Sequence, residues 1–445
     1  MTLWKKLCRI LWERNEMLDK FKKTKYFPKV KETAPYKAVR FVYYKTRRIK
    51  KKIKKPFIKL YKFYMFKIRY PKLYKKYEKN PVDDKKIIFI EGRMKFITNS
   101  SEYIYNELKN NYSFDIHTHF LQMGFVKRKE YRKLCEAMIK DVATAKYVFM
   151  NDASNVFACL PIRKETVVTQ LWHGCGAFKK FGLSTADLIF GDNRKTLEKY
   201  PYHKNYTHVT VSAPEVEWAY TEAMNLKKGV AKGIGISRSD YFYNQDNIRL
   251  AREKMDKLFP KRNGRKIILY APTFRGRVAN AKMPDELDIA KFYEAFKDEY
   301  ILVFKHHPFV KEKVLIEKKY KDFAIDCTES MSIDDLICIS DICISDYSSL
   351  VFEYSIFERP MVFFAYDLDN YYDWRGFYYD YKEFVPGPIY ATNEEMINYI
   401  KDIDKNFDKQ KVVDFKDKFM SACDGHATEK IMKLVFGDEL EKYKK

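Results

Sequence analysis

Long apolar runs are missing from this 445-residue chain. No stretch approaches the roughly 18–20 residues that cross a bilayer as a helix, which argues against an integral membrane protein. The opening MTLWKKLCRILWERNEM breaks its apolar residues with charge and lacks a small-residue cleavage site, so no secretory signal is expected. Cysteines are few, at 8, 135, 159, 175, 327, 338, 343 and 423, with no CxxC pair or disulfide-module spacing. Reduced thiols in a cytosolic protein are the natural expectation. Glycine is scarce where phosphate loops need it. There is no P-loop lysine motif, and GIGISR (Gly233–Arg238) carries arginine where the dinucleotide fingerprint needs its third glycine. P-loop hydrolysis and nicotinamide binding both lose ground.

Acidic residues are the other shortage, 60 against 85 Lys+Arg, for a formal charge of +25. Almost all the excess sits in residues 1–80, which hold 28 basic and 5 acidic residues, so the rest is close to neutral. Within this appendage Leu3, Leu7, Ile10, Leu11, Met17, Leu18 and Phe21 recur at helical spacing among Lys5, Lys6, Arg9 and Arg14. The run KTRRIKKKIKK (Lys45–Lys55) leads through Pro56 to Phe57, Leu60, Tyr61, Tyr64 and Ile68, which can share one helical face. Basic residues beside large apolar ones suit a helix lying on an anionic membrane surface. A basic hairpin packed on the protein's own body and a nucleic-acid arm attract the same charge. No nucleic-acid module motif supports the latter, so no nucleic-acid partner is expected.

With 46% hydrophobic residues the chain has material for two or three cores of ordinary domain size. From residue 85 short β-branched and aromatic runs alternate with helix-compatible segments. Strands are expected at Lys86–Glu91, Phe114–His117, Tyr147–Met150, Thr166–Leu171, Leu188–Phe190 and His208–Val211. A second series follows at Lys266–Tyr270, Ile301–Phe304, Phe323–Ile325, Ile342–Ile344 and Met361–Phe364. The pattern predicts an α/β architecture of two parallel-sheet domains, 81–245 and 246–445, behind a basic helical extension, 1–80. The hinge falls near 235–250, and terminal helices begin near Asn393. Ligands of such folds bind beyond the carboxyl ends of strands, so chemistry belongs just after them.

Unusual residues occur there. In QLWHGCGAFKKFG (Gln170–Gly182), His173 stands at a strand end, with Gly174, Gly176, Lys179 and Lys180 behind it. A near-neutral imidazole can accept a hydroxyl proton, although a histidine closing a tight turn reads equally well. Arg238 in GISRSDYF and Arg275 in YAPTFRG offer planar forks for phosphate, or for a local carboxylate such as Asp240. VFKHHPFV sets His306 and His307 on opposite faces of extended chain, with His307 beside the proline the better cleft residue. ICISDYSSLVFEYSI runs from strand into Asp346, Ser348 and Ser349, an anion site or a plain N-cap, with Glu353 one turn on. Asp367-Leu368-Asp369 is a DxD, which in a nucleotide site can hold Mg²⁺ and by chance is a solvated loop. The rings around Arg375 mark an ordered loop.

Together and in this order, these segments resemble the CDP-glycerol glycerophosphotransferase family, the teichoic acid primases and polymerases. The matching pieces are WHG…K…FG, GISRSD, YAPTFR, HP, SDYSSLVFE and RGFYYDY…PGP, from about Asp152 to Pro388. The resemblance implies a glycosyltransferase-B-like fold of two Rossmann-type domains facing a cleft, peripheral to the cytoplasmic face of the cell membrane. It also implies transfer of glycerol phosphate or ribitol phosphate from CDP-glycerol or CDP-ribitol to a polyprenyl-linked wall or capsule polymer. The family's catalytic histidines match His173 and His307. Its nucleotide and phosphate contacts match Arg275, Ser348 and Ser349, with Arg238, Asp346 and Glu353 beside them. Gly174, Lys179, Lys180 and Arg375 fall in loops on the acceptor side. Many members read HGTPLK where this chain reads HGCGAFK, with Cys175 and Gly176 in place of Thr-Pro.

The expected mechanism is in-line displacement at phosphorus, with CMP leaving and no metal or cofactor required. Two other functions use the same features: a nucleotide-sugar glycosyltransferase of the same fold, and an inactive scaffold binding membranes or polyanions.

Overall fold

The structure is a computed structural model that describes residues 56–189, 191–276 and 281–445. The apolar–basic stripe of Leu3–Phe21 and the basic run Lys45–Lys55 lie outside the described residues. The chain divides into two compact units, Met1–Ile68 and Arg69–Lys445. In the first, residues 56–63 are helical and expose Phe57, Ile58, Leu60 and Phe63. Among the described residues no helix is long and apolar enough to cross a membrane.

The second unit opens with α1 (Tyr70–Tyr77), whose Tyr74 is fully buried and accepts a hydrogen bond from the Arg163 amide (3.1 Å). Residues 69–80 therefore belong to the body and not to a separate 1–80 appendage. Six parallel strands follow: β1 (Asp83–Glu91), β2 (Asp115–Phe120), β3 (Ala145–Met150), β4 (Val167–Gln170), β5 (His208–Thr210) and β6 (Ala231–Lys232). They lie in the order β2-β1-β3-β4-β5-β6. α2 (Asn99–Asn111), α3 (Arg128–Val142) and α4 (Glu217–Met224) accompany them.

Past α5 (Gln245–Leu258) a second parallel sheet forms from β7 (Lys266–Tyr270), β8 (Tyr300–Phe304), β9 (Ala324–Asp326), β10 (Ile342–Ser345), β11 (Met361–Phe364) and β12 (Ile389–Tyr390). Its order is β12-β11-β10-β7-β8-β9, the doubly wound arrangement. α6 (Ile289–Phe296), α7 (Ile333–Ile339), α8 (Leu350–Ser355), α9 (Leu368–Arg375), α10 (Asn393–Lys401), α11 (Lys409–Phe419) and α12 (Ala427–Phe436) complete the unit. The central strands of this sheet, such as YILVF of β8, are apolar throughout because both faces are covered.

Two details depart from expectation. Leu188 and Ile189 form a bend and not a strand, because both are exposed and have no sheet face to join; Phe190 lies outside the described residues. The terminal helices do not all stay with the second domain. α12 returns to the first sheet, where Ile431, Met432, Val435 and Phe436 pack with Ile87, Phe89 and Phe149. The apolar stripe on α12 completes the first sheet's core, so residues 427–436 belong to the first lobe.

Candidate active site

In each sheet the strand order reverses at one point, and loops diverging there open a crevice at the carboxyl ends. In the first sheet this lies between β1 and β3, followed by Gly92–Arg93 and Asn151–Asp152. In the second it lies between β7 and β10, followed by Ala271–Arg275 and Asp346–Ser349. The sequence motifs fall on these loops and on the ends of β4 and β8.

His173 leaves β4 through Trp172, which adopts a left-handed backbone (φ 57°) at a cost of about 1–2 kcal/mol. The turn is held by the Trp172 amide donating to Gln170 Oε1 (3.0 Å) and by the indole stacked on the imidazole (4.4 Å). His173 Nδ1 lies 3.0 Å from the Asn151 carbonyl, which can only accept. Nδ1 therefore carries the proton in the neutral ring, and Nε2 offers a lone pair. The ring is exposed along one side yet hemmed by protein elsewhere. Desolvation lowers its pKa, with Arg238 and Arg93 adding and the Asn151 bond and Asp152 opposing.

His307 is wired the opposite way. The Phe309 amide donates to its Nδ1 (3.1 Å), leaving Nε2–H as the donor of the neutral ring. The imidazole packs against Phe274 (5.0 Å) and Phe309 (4.5 Å). Its pKa is pushed down to about 4, by desolvation first and then by Lys179 and Arg93. Its neighbour His306 turns into the core between Tyr270 and Phe304. Arg93 acts on both catalytic-candidate imidazoles, one from each lobe.

The loop after His173 reaches across to the second lobe. A Cβ on Gly174 would stand 3.9 Å from Ser349 Oγ, and one on Gly176 would lie 2.1 Å from the Phe352 ring. With φ at 62°, Gly176 occupies a conformation closed to proline, so this loop runs differently from an HGTP backbone. The Gly176 amide donates to Ser212 Oγ (2.9 Å), and Tyr220 donates to the Gly174 and Gly176 carbonyls. Cys175 is buried against Cys423. Farther along, Lys179 bridges to Phe377, Lys180 N donates to the Gly376 carbonyl (3.1 Å), and Lys179 Nζ lies 3.5 Å from Tyr371 Oη. Arg375 ends α9, and its side chain lies outside the described residues.

Ser348 and Ser349 close the loop after β10. Ser349 makes no capping bond, and Ser348 Oγ meets the Leu350 amide only at 3.5 Å. α8 has six residues, too short for a strong macrodipole, so the two largely unspent hydroxyls and nearby amides carry any anion affinity.

The two arginines expected to grip phosphate are already engaged. Arg275 donates to Asp367 through Nε (2.6 Å) and Nη2 (2.9 Å) and to Asp346 and the Thr273 carbonyl through Nη1. Tyr347, Tyr366 and Tyr371 surround its guanidinium. Asp346 also accepts from the Thr273 and Tyr347 amides, so this triad ties the loops after β7 and β10 to α9. Asp367, the first carboxylate of the DxD, accepts from Arg275 through both oxygens and from Tyr347 through one, so in this structure it braces the arginine. Among the described residues no group of three His, Cys, Asp or Glu is placed to hold a metal.

Arg238 donates to the His173 carbonyl (2.7 Å) and to Asp334 (2.5 Å), bracing the turn that carries His173 against α7. Glu353, expected at a ribose, is 3% exposed and lies 3.9 Å from Arg238. Desolvation raises its pKa and Arg238 opposes this. Arg238, Arg275, Asp346 and Glu353 thus build the frame around the cleft. Sequence reasoning missed Arg93, Asn151 and Asp152, which its own rule of looking beyond strand ends at a reversal point would have found.

The model of the CDP-glycerol:poly(glycerophosphate) glycerophosphotransferase family matches residues 73–437. The chain belongs to that family. Its relatives include the teichoic acid poly(ribitol-phosphate) polymerase of Bacillus spizizenii, 36% identical over 81% of this chain and 58% of the relative. Another is the teichoic acid ribitol-phosphate primase of the same organism, 33% identical over 80% of this chain and 92% of that one. The chain thus spans under two thirds of the polymerase and nearly all of the primase. Among solved structures, the wall teichoic acid polymerase TagF superposes with a TM-score of 0.66 at 23% identity, over 91% of this chain and 99% of that one. That likeness establishes the glycosyltransferase-B-like fold for this member of the glycerophosphotransferase family.

Proposed function

We propose that this protein transfers a polyol phosphate, ribitol phosphate foremost, from its CDP-activated form to the terminal hydroxyl of a teichoic-acid-type polymer, releasing CMP. The observation that carries the reading is the opposite wiring of two strand-end imidazoles. His173 Nε2 is an acceptor suited to taking the hydroxyl proton, and His307 Nε2–H is a donor suited to a phosphoryl oxygen. The deprotonating hydroxyl attacks the β-phosphorus, the bond to the CMP oxygen breaks, and charge builds on the leaving phosphate. Ser348, Ser349 and Lys179 supply hydroxyls and a cation on that side. Such a transfer needs alignment and charge stabilisation more than covalent help from the protein.

Ribitol is placed first because ribitol-phosphate enzymes are the relatives matched over the greatest share of the chain. A polyprenyl-linked acceptor at the cytoplasmic face of the membrane fits the basic residues 1–80 and the exposed apolar side chains of 56–63. Incubation with CDP-ribitol, CDP-glycerol and UDP-sugars in turn, with a defined acceptor and mass-spectrometric detection, tests the reading. CMP and an acceptor lengthened by ribitol phosphate are expected; UDP release with a sugar-bearing product would overturn it.

A further inference from the structure

The loop after β1 carries an arginine whose guanidinium is largely unspent. Thr98 N donates to Glu91 Oε1 (3.1 Å) and Asn151 Nδ2 to Glu91 Oε2 (2.8 Å), so the loop starts and ends at one buried carboxylate beside the end of β3. Gly92 packs so closely on the next loop that a Cβ there would stand 2.8 Å from Asp152 Cβ. Arg93 is thereby held beside Asn151 and Asp152, and the Asn151 carbonyl is the one that orients His173. Its contact with Asp152 is loose, 3.8 Å from Nε to Oδ1, and its side chain is half-exposed. Among the described residues that side chain makes no hydrogen bond, whereas Arg238 and Arg275 donate to carboxylates at 2.5 to 2.9 Å.

The space that Arg93 faces lies between the lobes. Its charge acts on His173 in its own lobe and on His307 in the other, and Lys179 joins it at His307 with no carboxylate opposing. A half-exposed cation without a tight acid, in a gap that a second cation also faces, is a site for an anion. In the transferase reading His173 Nε2 takes the acceptor's hydroxyl proton and His307 Nε2–H meets a phosphoryl oxygen. A group near both imidazoles therefore stands beside the phosphorus that passes between them. We propose that Arg93 is a further catalytic residue, its planar fork donating to the non-bridging oxygens of the β-phosphoryl group during transfer. The acceptor oxygen bonds to phosphorus and the bond to the CMP oxygen breaks. The hydroxyl proton goes to His173, the bonding pair leaves with CMP, and Arg93 neutralises charge on the group in flight. That role rests on the transferase reading; the anion site itself does not.

The test is titration calorimetry of the full chain with CMP and with CDP, beside single-turnover CMP formation from saturating CDP-ribitol. The parent is compared with Arg93→Ala and Arg93→Lys. CMP lacks the β-phosphoryl group, so Arg93→Ala is expected to bind CMP as the parent does and CDP about tenfold more weakly. Its rate is expected to fall about 10²-fold, and Arg93→Lys, which keeps the charge without the fork, to recover part of both losses. Equal CDP affinity in the parent and Arg93→Ala overturns the proposal. An equal loss for CMP and CDP overturns it too, since the arginine would then serve the nucleotide or the fold at large. An unchanged rate with a raised KM for the acceptor overturns it in favour of an acceptor contact. If the parent forms no CMP from any CDP-polyol, the transferase reading fails and the comparison of CMP with CDP still decides the anion site.

Discussion

Two imidazoles with mirrored hydrogen bonds carry the proposed chemistry at the residue scale, and their protonation makes it testable. A base works unprotonated, and His173 binds its proton less tightly than a free imidazole because the crowded cleft desolvates the charged form. The acid limb of kcat/KM therefore falls below the ordinary histidine value of about 6.5. Asp152 opposes that shift, so Asp152→Asn moves the limb further toward acid. A pH–rate profile of both proteins checks the sign; a limb moving toward neutral would contradict it. Gly176 offers a second test. Proline cannot take its φ, and any Cβ there meets Phe352, so Gly176→Pro destabilises the protein by about 3 kcal/mol, read by chemical denaturation.

Among the elements, β2 and α3 meet over a polar cluster remote from chemistry. Asp141 accepts from His117 Nδ1 (2.8 Å), His119 Nε2 (2.9 Å) and Lys86. Desolvation works against its charged form, but these three bonds together hold its pKa well below the carboxylate range. A depressed folded pKa contributes stability that is present above the unfolded value near 4 and is lost as pH falls through the folded one. Asp141→Asn thus costs about 2 kcal/mol at neutral pH, no less while His117, whose pKa Asp141 helps to raise, takes up its proton, and progressively less only below about pH 4, measured by urea denaturation across pH. Element-level features were the most legible in the sequence. KIILY, YILVF and ICIS announce buried parallel strands, and the residues just past them supply the cleft. What escaped was pairing across long separations. Arg275 looks like a phosphate fork until Asp367, 92 residues on, is found bonded to it. Arg238 likewise meets Asp334, 96 residues away. Leu188–Ile189 misled because a short apolar run looks the same on a surface bend as in a sheet. No local signal in α12 says which sheet it will cover.

Across the whole molecule, the lobes are joined by a shared core. Phe178, from the loop after His173, packs among Phe377, Tyr381 and Phe384 of the second lobe at 5.3, 5.8 and 5.1 Å. α12 ties the chain's end back to the first sheet. Residues 69–445 are accordingly expected to unfold in one calorimetric transition, and Phe178→Ala to lower stability by about 3–4 kcal/mol. Separate transitions for the two sheets would contradict this. The same continuity brings the loop after His173 up to Ser349, as the proposed transfer requires. Single-turnover formation of CMP from prebound CDP-ribitol by His173→Ala tests the proposed base role of His173, the centre of the account, most directly. The account predicts a rate about 10³-fold below the parent with donor binding retained; a rate within about threefold of the parent would contradict it.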